Sequence, residues 1–392
     1  MRADVNAEEV VALTQDLVRI DTRNPPGGER AAAEVCRAAL ARFGATFAEI
    51  EPAPGRVSLL ATIPAPDGNE RGPTLIVNGH LDVVPIDPAA WTHAPFGAEL
   101  VDGRIYGRGT TDMKGGIAAA IAALSTLARA GKRPAGEVIF HLVADEERGG
   151  ALGTEVLAAR DLIHGDACLV PEPTSLAVGV AERGLLVVTI TTLGQPAHGS
   201  RPREGVSAIE TAAEVVRALH AADFGDPPHP LLGTPTANVG QIEGGSGHNT
   251  VAEQCRIVVD RRLLPGATRD EAVARLRAKI DTVTDPNLRY ELEVTTFGEA
   301  SEMPADEPFP QLVSRAVAKV TGETPSIVGM PFTTDARFVR NQAGIPAVVC
   351  GPGDIALAHG NDEWVSVERL VDATAIYAEI MAGLGSLQAP AP

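Results

Sequence analysis

The sequence predicts an α/β protein: a mostly parallel sheet flanked by helices, with a βαββαβ domain inserted into it. Three observations carry this prediction. Apolar, β-branched runs alternate with helical periodicity up to about residue 182. From Arg183 the rhythm changes to strand, helix, two strands, helix, strand. After residue 297 the helix–strand alternation resumes. A chain of 392 residues is longer than one hydrophobic core usually spans. The expected partition is therefore a discontinuous α/β domain, 1–182 and 298–392, around an insert of 183–297.

The elements follow in order. "AEEVVALTQDLVRI" and "ERAAAEVCRAALARFG" have helical periodicity, the second closed by a Gly suited to a C-cap. "RVSLLATIP" and "PTLIVNGHLDVVP" are β-branched strands, and "DMKGGIAAAIAALSTLARAGK" is a long apolar helix. "GEVIFHLVADEE" is a strand, "GALGTEVLAARDLI" a helix and "DACLVPEP" a short strand. Continuous apolar strands between helices belong to a parallel sheet covered on both faces. In the insert, "GLLVVTITTLG", "TANVGQIEGG", "TVAEQCRIVVDRRLLPG" and "NLRYELEVTTF" are the four strands. "EGVSAIETAAEVVRALHAA" and "TRDEAVARLRAKIDTV" are its two helices, the latter with a Thr N-cap and an acidic first turn. "QLVSRAVAKVTG", "IPAVVCGPG" and "VERLVDATAIYAEIMAGLG" complete the outer domain. The terminal "QAPAP" is the sole low-complexity tract.

Composition narrows the function. Against 33 basic residues stand 51 acidic ones, a net charge of −18, which argues against a nucleic-acid partner. No apolar run has the length of a membrane span, and "MRADVNAEEVVALTQDLVRI" lacks the apolar region of a signal peptide. Cys36, Cys168, Cys255 and Cys350 lie far apart, as small core hydrophobes do in a reducing compartment. The expectation is a soluble, cytoplasmic protein that acts on neither nucleic acid nor membrane.

The chemistry gathers at strand ends. His80 and Asp82 follow "TLIVNG", and Asp145, Glu146 and Glu147 follow "VIFHLVA". Glu172 follows "ACLV", and His359 follows "AVVCGPG". Ligands of open parallel sheets bind just beyond the carboxyl ends of the strands. Asp112, in "GRGTTDMKGG", joins this edge at the start of the long helix. That segment lacks the Gly-Lys-Ser/Thr ending of a phosphate loop. Taken singly, His-x-Asp is a turn feature and "DEE" a solvated loop; the convergence of four strand ends points to metal. Burying ionised carboxylates costs several kcal/mol each unless they are paired or bind metal. Two His and several carboxylates without Cys suit Zn²⁺, or Co²⁺ and Mn²⁺ as substitutes. The set is large enough for two ions with one bridging Asp. Asp82 is placed to fix the imidazole of His80. Neighbouring Glu146 and Glu147 face opposite ways, so one can ligate while the other serves as a base.

The blocks "NGHLDVVP", "GRGTTDMKGG", "DEERGG", "PEPTS", "AHGSRPREGVSAI", "DRRLLPG" and "AHGNDEWV" span nearly the whole chain. In them the sequence resembles the co-catalytic di-zinc amidohydrolases and metallopeptidases (clan MH). Acetylornithine deacetylase, succinyl-diaminopimelate desuccinylase, aminoacylase and glutamate carboxypeptidase belong to that family. The resemblance implies a zinc-peptidase-like α/β domain holding two Zn²⁺ per subunit, interrupted by a lid and dimerisation domain. It implies that Asp112 bridges the ions, that His80 and Glu172 complete one, and that Glu147 and His359 complete the other. Asp82 would orient His80, Glu146 would be the general base, and the Asp112–Met113 peptide would be cis. On the insert, the resemblance makes His198 a lid residue that reaches a tetrahedral oxyanion, often in a partner subunit. Asn249 and Arg262 resemble lid residues that hold a substrate carboxylate, although an ion pair with Asp260 equally suits Arg262. Arg337 is similarly open, and Thr333 and Thr334 would line the acyl pocket.

The expected activity is hydrolysis of an amide bond in a small N-acyl-amino acid, of deacetylase or desuccinylase type. An exopeptidase acting on a C-terminal residue or a dipeptide is the alternative, since it needs the same clamp and lid. A non-catalytic amino-acid-binding relative would have lost ligands or the base, and here all are present. A second copy of the chain, joined through the lid domain, is the one macromolecular partner expected.

Overall fold

Four parallel strands form the centre of the main sheet. In spatial order they are Glu137–Val143, Thr74–His80, Ala167–Val170 and Ala347–Val349. Val77 lies opposite both Phe140 and Leu169, and Val349 lies opposite Val170. These are the four strands whose carboxyl ends carry the His and acidic residues singled out above. The computed structural model describes residues 1–66 and 72–387, so the terminal "QAPAP" lies outside the described residues.

The sheet margins are antiparallel. Arg56–Ile63 runs against Glu137–Val143, with Thr46–Ala53 at the edge beyond it, and Val178–Glu182 flanks the Ala347–Val349 strand. The helix Gly115–Arg129 is buried at every position but its last two, as an all-round apolar sequence requires. It packs against Val367–Gly383. Among the described residues, Val367–Leu387 is the one helical stretch long and apolar enough to cross a membrane; it is mostly buried in the protein core. Two expected elements are shorter than their apolar patterns. The strand of "GEVIFHLVADEE" stops at Val143, so the three acids sit on a turn, and the following helix is confined to Thr154–Ala159. Gly149 and Gly150, both at positive φ, form the turn between them.

The chain divides into two compact units. The first is Met1–Val180, Met303–Val328 and Thr334–Pro392; the second is Ala181–Glu302 with Gly329–Thr333. The second has its own antiparallel sheet, ordered Thr236–Gly244, Gln254–Leu263, Gly184–Leu193 and Tyr290–Gly298. Its helices, Ala208–Leu219 and Arg269–Ile280, share a core with Leu186, Val188, Ile190, Ile257 and Val259. Thr268 and Glu271 close the start of the second helix as a reciprocal capping box.

Candidate metal centre

Each acidic or imidazole group at the sheet edge is held by an identifiable backbone feature. His80 is the last residue of its strand and is buried. Glu172 lies in the turn after Val170. Asp112 sits in an irregular turn just before the Gly115–Arg129 helix, and its peptide to Met113 is cis. The glycine pair of "DMKGG" has a steric reason. A Cβ on Gly116 would lie 2.2 Å from the carbonyl oxygen of Pro171, so only glycine lets the helix start approach the Glu172 turn.

Two donor groups result, and they share Asp112. His80 Nε2 is 3.0 Å from Asp112 Oδ1 and 3.3 Å from Glu172 Oε1. His359 Nε2 is 3.3 Å from Asp112 Oδ2 and 3.1 Å from Glu147 Oε2. Within each triad, one ligand atom per residue lies within 4.8 Å of the others. The two Asp112 oxygens thus face opposite triads, as a bridging carboxylate must.

Electrostatics give a test of whether cations fit here. Burial, and then the charge of Asp112, push Glu172 up to about 8. Burial raises Glu147 and drives Glu146 well above the usual carboxylate range. Burial alone would lower His80, but Glu172 and Asp112 raise it well above its ordinary value. His359 is raised to about 10 by its hydrogen bonds to Asp112 and Glu147. Burial opposes ionisation of Asp112 too, yet His359 and His80 hold it low. Glu147 Oε1 is buried and has no hydrogen-bond partner. Protons therefore stand where cations would relieve the repulsion among three carboxylates, and one acceptor oxygen is left over. The donor set fits a pair of divalent ions.

The remaining predicted residues fall into distinct settings. Asp82 lies beside His80, but His80 Nδ1 is 2.9 Å from the backbone carbonyl of Asp82 and 3.7 Å from its carboxylate. That carboxylate accepts instead from the backbone amides of Glu146 and Glu147, at 3.2 and 3.3 Å, and from Asn24 Nδ2 at 2.9 Å. Glu146 and Glu147 occupy a short 3-10 turn next to the triads. Arg337 is buried, and its terminal nitrogens donate to the carbonyls of Thr334 and Gly149. Thr334 is buried as well.

The other predicted residues belong to the second unit. His198 is exposed, with Nδ1 2.8 Å from the Ser200 hydroxyl. The amide of Gly199 donates to the carbonyl of exposed Asn249, so the two loops are joined. Arg262 forks onto Asp260, at 2.9 and 3.1 Å. Thr333 donates to the carbonyl of Arg183.

Several contacts around the metal centre had no signal in the sequence. Asp145, the first acid of "DEE", has φ +71° and accepts from Asn24 and from the amide of Leu152. It also pairs with Arg56 at 3.1 Å, and Arg56 forks onto Glu29. Asp335 accepts from Thr154 and keeps one buried oxygen without a partner. Glu363 and Arg108 form a buried pair at 2.6 Å. The acid at the end of "HGNDE" was visible in the sequence; its partner some 250 positions away had no local signal.

Comparison with known proteins is consistent with this geometry. Residues 76–383 match the sequence profile described as Peptidase family M20/M25/M40. A succinyl-diaminopimelate desuccinylase of Rhodospirillum centenum is 33% identical, over 96% of this chain and 97% of that protein. An acetylornithine deacetylase of Proteus mirabilis is 31% identical, over 81% of each. An M20 family metallo-carboxypeptidase of Sulfolobus solfataricus has the same fold, with a TM-score of 0.82 at 19% identity, over 96% of this chain and 99% of that one.

Proposed function

Since the chain belongs to peptidase family M20/M25/M40 and is a hydrolase of that family, we propose that it hydrolyses the amide bond of a small N-acyl-amino acid. The observation that carries this reading is the pair of donor triads sharing Asp112, with Glu146 on the turn beside them. His80 and Glu172 would hold one divalent ion, Glu147 and His359 the other, with Asp112 common to both. Zinc is the ion best suited to this set of imidazoles and carboxylates. Bound there, the ions would polarise a carbonyl oxygen and acidify water towards neutrality.

The protein's own groups account for the proton movements. Glu146 is the general base: it takes a proton from the attacking water and returns it to the leaving amine. Asp82 holds the Glu146 turn through two backbone amides and so sets the direction of the carboxylate. On the inserted unit, His198 is the proposed donor to the oxyanion, and Asn249 and Arg262 the proposed contacts for the substrate carboxylate. Arg337, Thr333 and Thr334 are the proposed lining of the acyl pocket.

The names of the relatives above 30% identity support a deacetylase or desuccinylase over an exopeptidase. Four free, buried cysteines support a reducing, cytoplasmic compartment. A second copy would join through the inserted unit, where Ile209 and Ile242 are exposed. A panel of acetyl-, succinyl- and peptidyl-amino acids, assayed with added Zn²⁺ or Co²⁺, tests the assignment. Preferential cleavage of acylated amino acids is expected, and turnover confined to peptides would favour the exopeptidase. Glu146→Gln should lower turnover by about 10²–10⁴-fold with both metals still bound; a variant at the wild-type rate would remove Glu146 from its role.

A further inference from the structure

Among the five proposed ligands, His359 has the weakest local support. Its side chain is 56% exposed, against 1% for His80 and 9% or less for Asp112, Glu147 and Glu172. It sits outside any helix or strand, at φ +62°, a left-handed conformation that is strained for a residue with a side chain. Something other than packing of the imidazole must fix it opposite Asp112.

The fixing element is a buried guanidinium. Arg108 Nη1 donates to Glu363 Oε2 at 2.6 Å, and Arg108 Nη2 donates to the backbone carbonyl of His359 at 3.2 Å. The other oxygen of Glu363 accepts from the amides of Thr111 and Asp112, at 2.8 and 3.1 Å. One fork therefore ties the peptide of His359 to the carboxylate that carries the peptide of Asp112. Both residues of the pair are nearly inaccessible to water. The surrounding backbone reinforces the link, because the amide of Gly107 donates to the Glu363 carbonyl and the Thr111 hydroxyl to that of Trp364.

We propose that Arg108 is a positioning residue for His359, acting through its fork to Glu363, so that weakening the fork releases the ion of the Asp112–Glu147–His359 triad before that of the His80 triad. The inference rests on the two-ion reading of the site. Lysine is the informative replacement. A single ammonium can keep the charge opposite Glu363, but it lacks the planar pair of donors that reaches two acceptors at once.

The experiment is calorimetric titration of the metal-depleted full-length protein with Zn²⁺, comparing wild type, Arg108→Lys, Arg108→Met and His359→Ala. Thermal melts of the metal-free forms report folding. Wild type should take up two ions. Arg108→Lys should lose about 10- to 100-fold in affinity for one ion, as outer supports of metal ligands typically do, and keep the other within about 3-fold. Arg108→Met should deepen the same selective loss, and His359→Ala should abolish binding of that ion. If Arg108→Met does not fold, the lysine variant decides alone. Wild-type affinities in Arg108→Lys, or an equal weakening of both ions, would overturn the proposal. A wild type that binds fewer than two ions would overturn the functional reading and this inference together.

Discussion

The two halves of the proposed metal cradle are supported in different ways. His80 and Glu172 are carried at the ends of neighbouring parallel strands, and both side chains are buried. Backbone pairing runs up to His80 itself, and Glu172 follows two residues after the last paired position, Val170. Glu147 and His359 ride on turns, at a left-handed residue in the case of His359. Their geometry depends on side chains acting at a distance: Asp82 on the Glu147 amide, Arg108 on the His359 carbonyl. The contrast shows that one donor chemistry can be pre-organised by the sheet in one half and by a hydrogen-bonded bracket in the other. The bracketed half is the one a remote substitution can loosen.

The largest effect should come from the residue both halves share. Asp112→Ala removes an oxygen from each triad, so the purified variant should retain less than one ion and hydrolyse at background; two retained ions would break the comparison at its root. Next is Glu146→Gln, which touches neither half as a ligand. It should lower kcat by about 10²–10⁴-fold while metal analysis still finds both ions. Asp82→Asn sharpens the contrast. His80 keeps its bond to the Asp82 carbonyl, whereas an acceptor for the Glu146 and Glu147 amides is lost. The ion at Glu147 and His359 should therefore weaken by about 10- to 100-fold, with the His80 ion little changed. Selective loss of the His80 ion would reverse the assignment.

The smallest effect is a pH dependence confined to metal-free protein. Glu172 at about 8 and His359 at about 10 are both raised on folding. The folded chain therefore holds protons that the unfolded chain, at about 4.3 and 6.5, has already released. With more protons on the folded side, stability must fall as pH rises. Melting temperature in the presence of a chelator should decline from pH 6.5 to 9. Added Zn²⁺ should remove that decline, and a flat chelated profile would show that these groups are not proton-coupled to folding.

The strand-end chemistry was legible because buried parallel strands have continuous apolar sequences, and polar residues just beyond them are conspicuous. His80, Glu147, Glu172 and His359 each follow such a run, and the structure brings them around Asp112. Of the antiparallel margins, Arg56–Ile63 was read as a strand, but two others were not legible. Thr46–Ala53 is half-exposed with interspersed acids, and Val178–Glu182 is too short for periodicity to mark. The reach of "VADEE" was overestimated because apolar pattern alone does not reveal a turn opened by Asp145 at positive φ. Asn24, Arg56, Arg108 and Glu363 escaped for a different reason. Their partners are set by tertiary proximity, and a buried ion pair between distant segments leaves no local spacing to read.

The most direct test is the anomalous scattering of zinc in crystals of the metal-loaded protein. Two peaks roughly 3.5–4 Å apart, one against His80 and Glu172, the other against Glu147 and His359, with Asp112 reaching both, are the expected result. A single peak, or a second one out of reach of Asp112, would contradict the account.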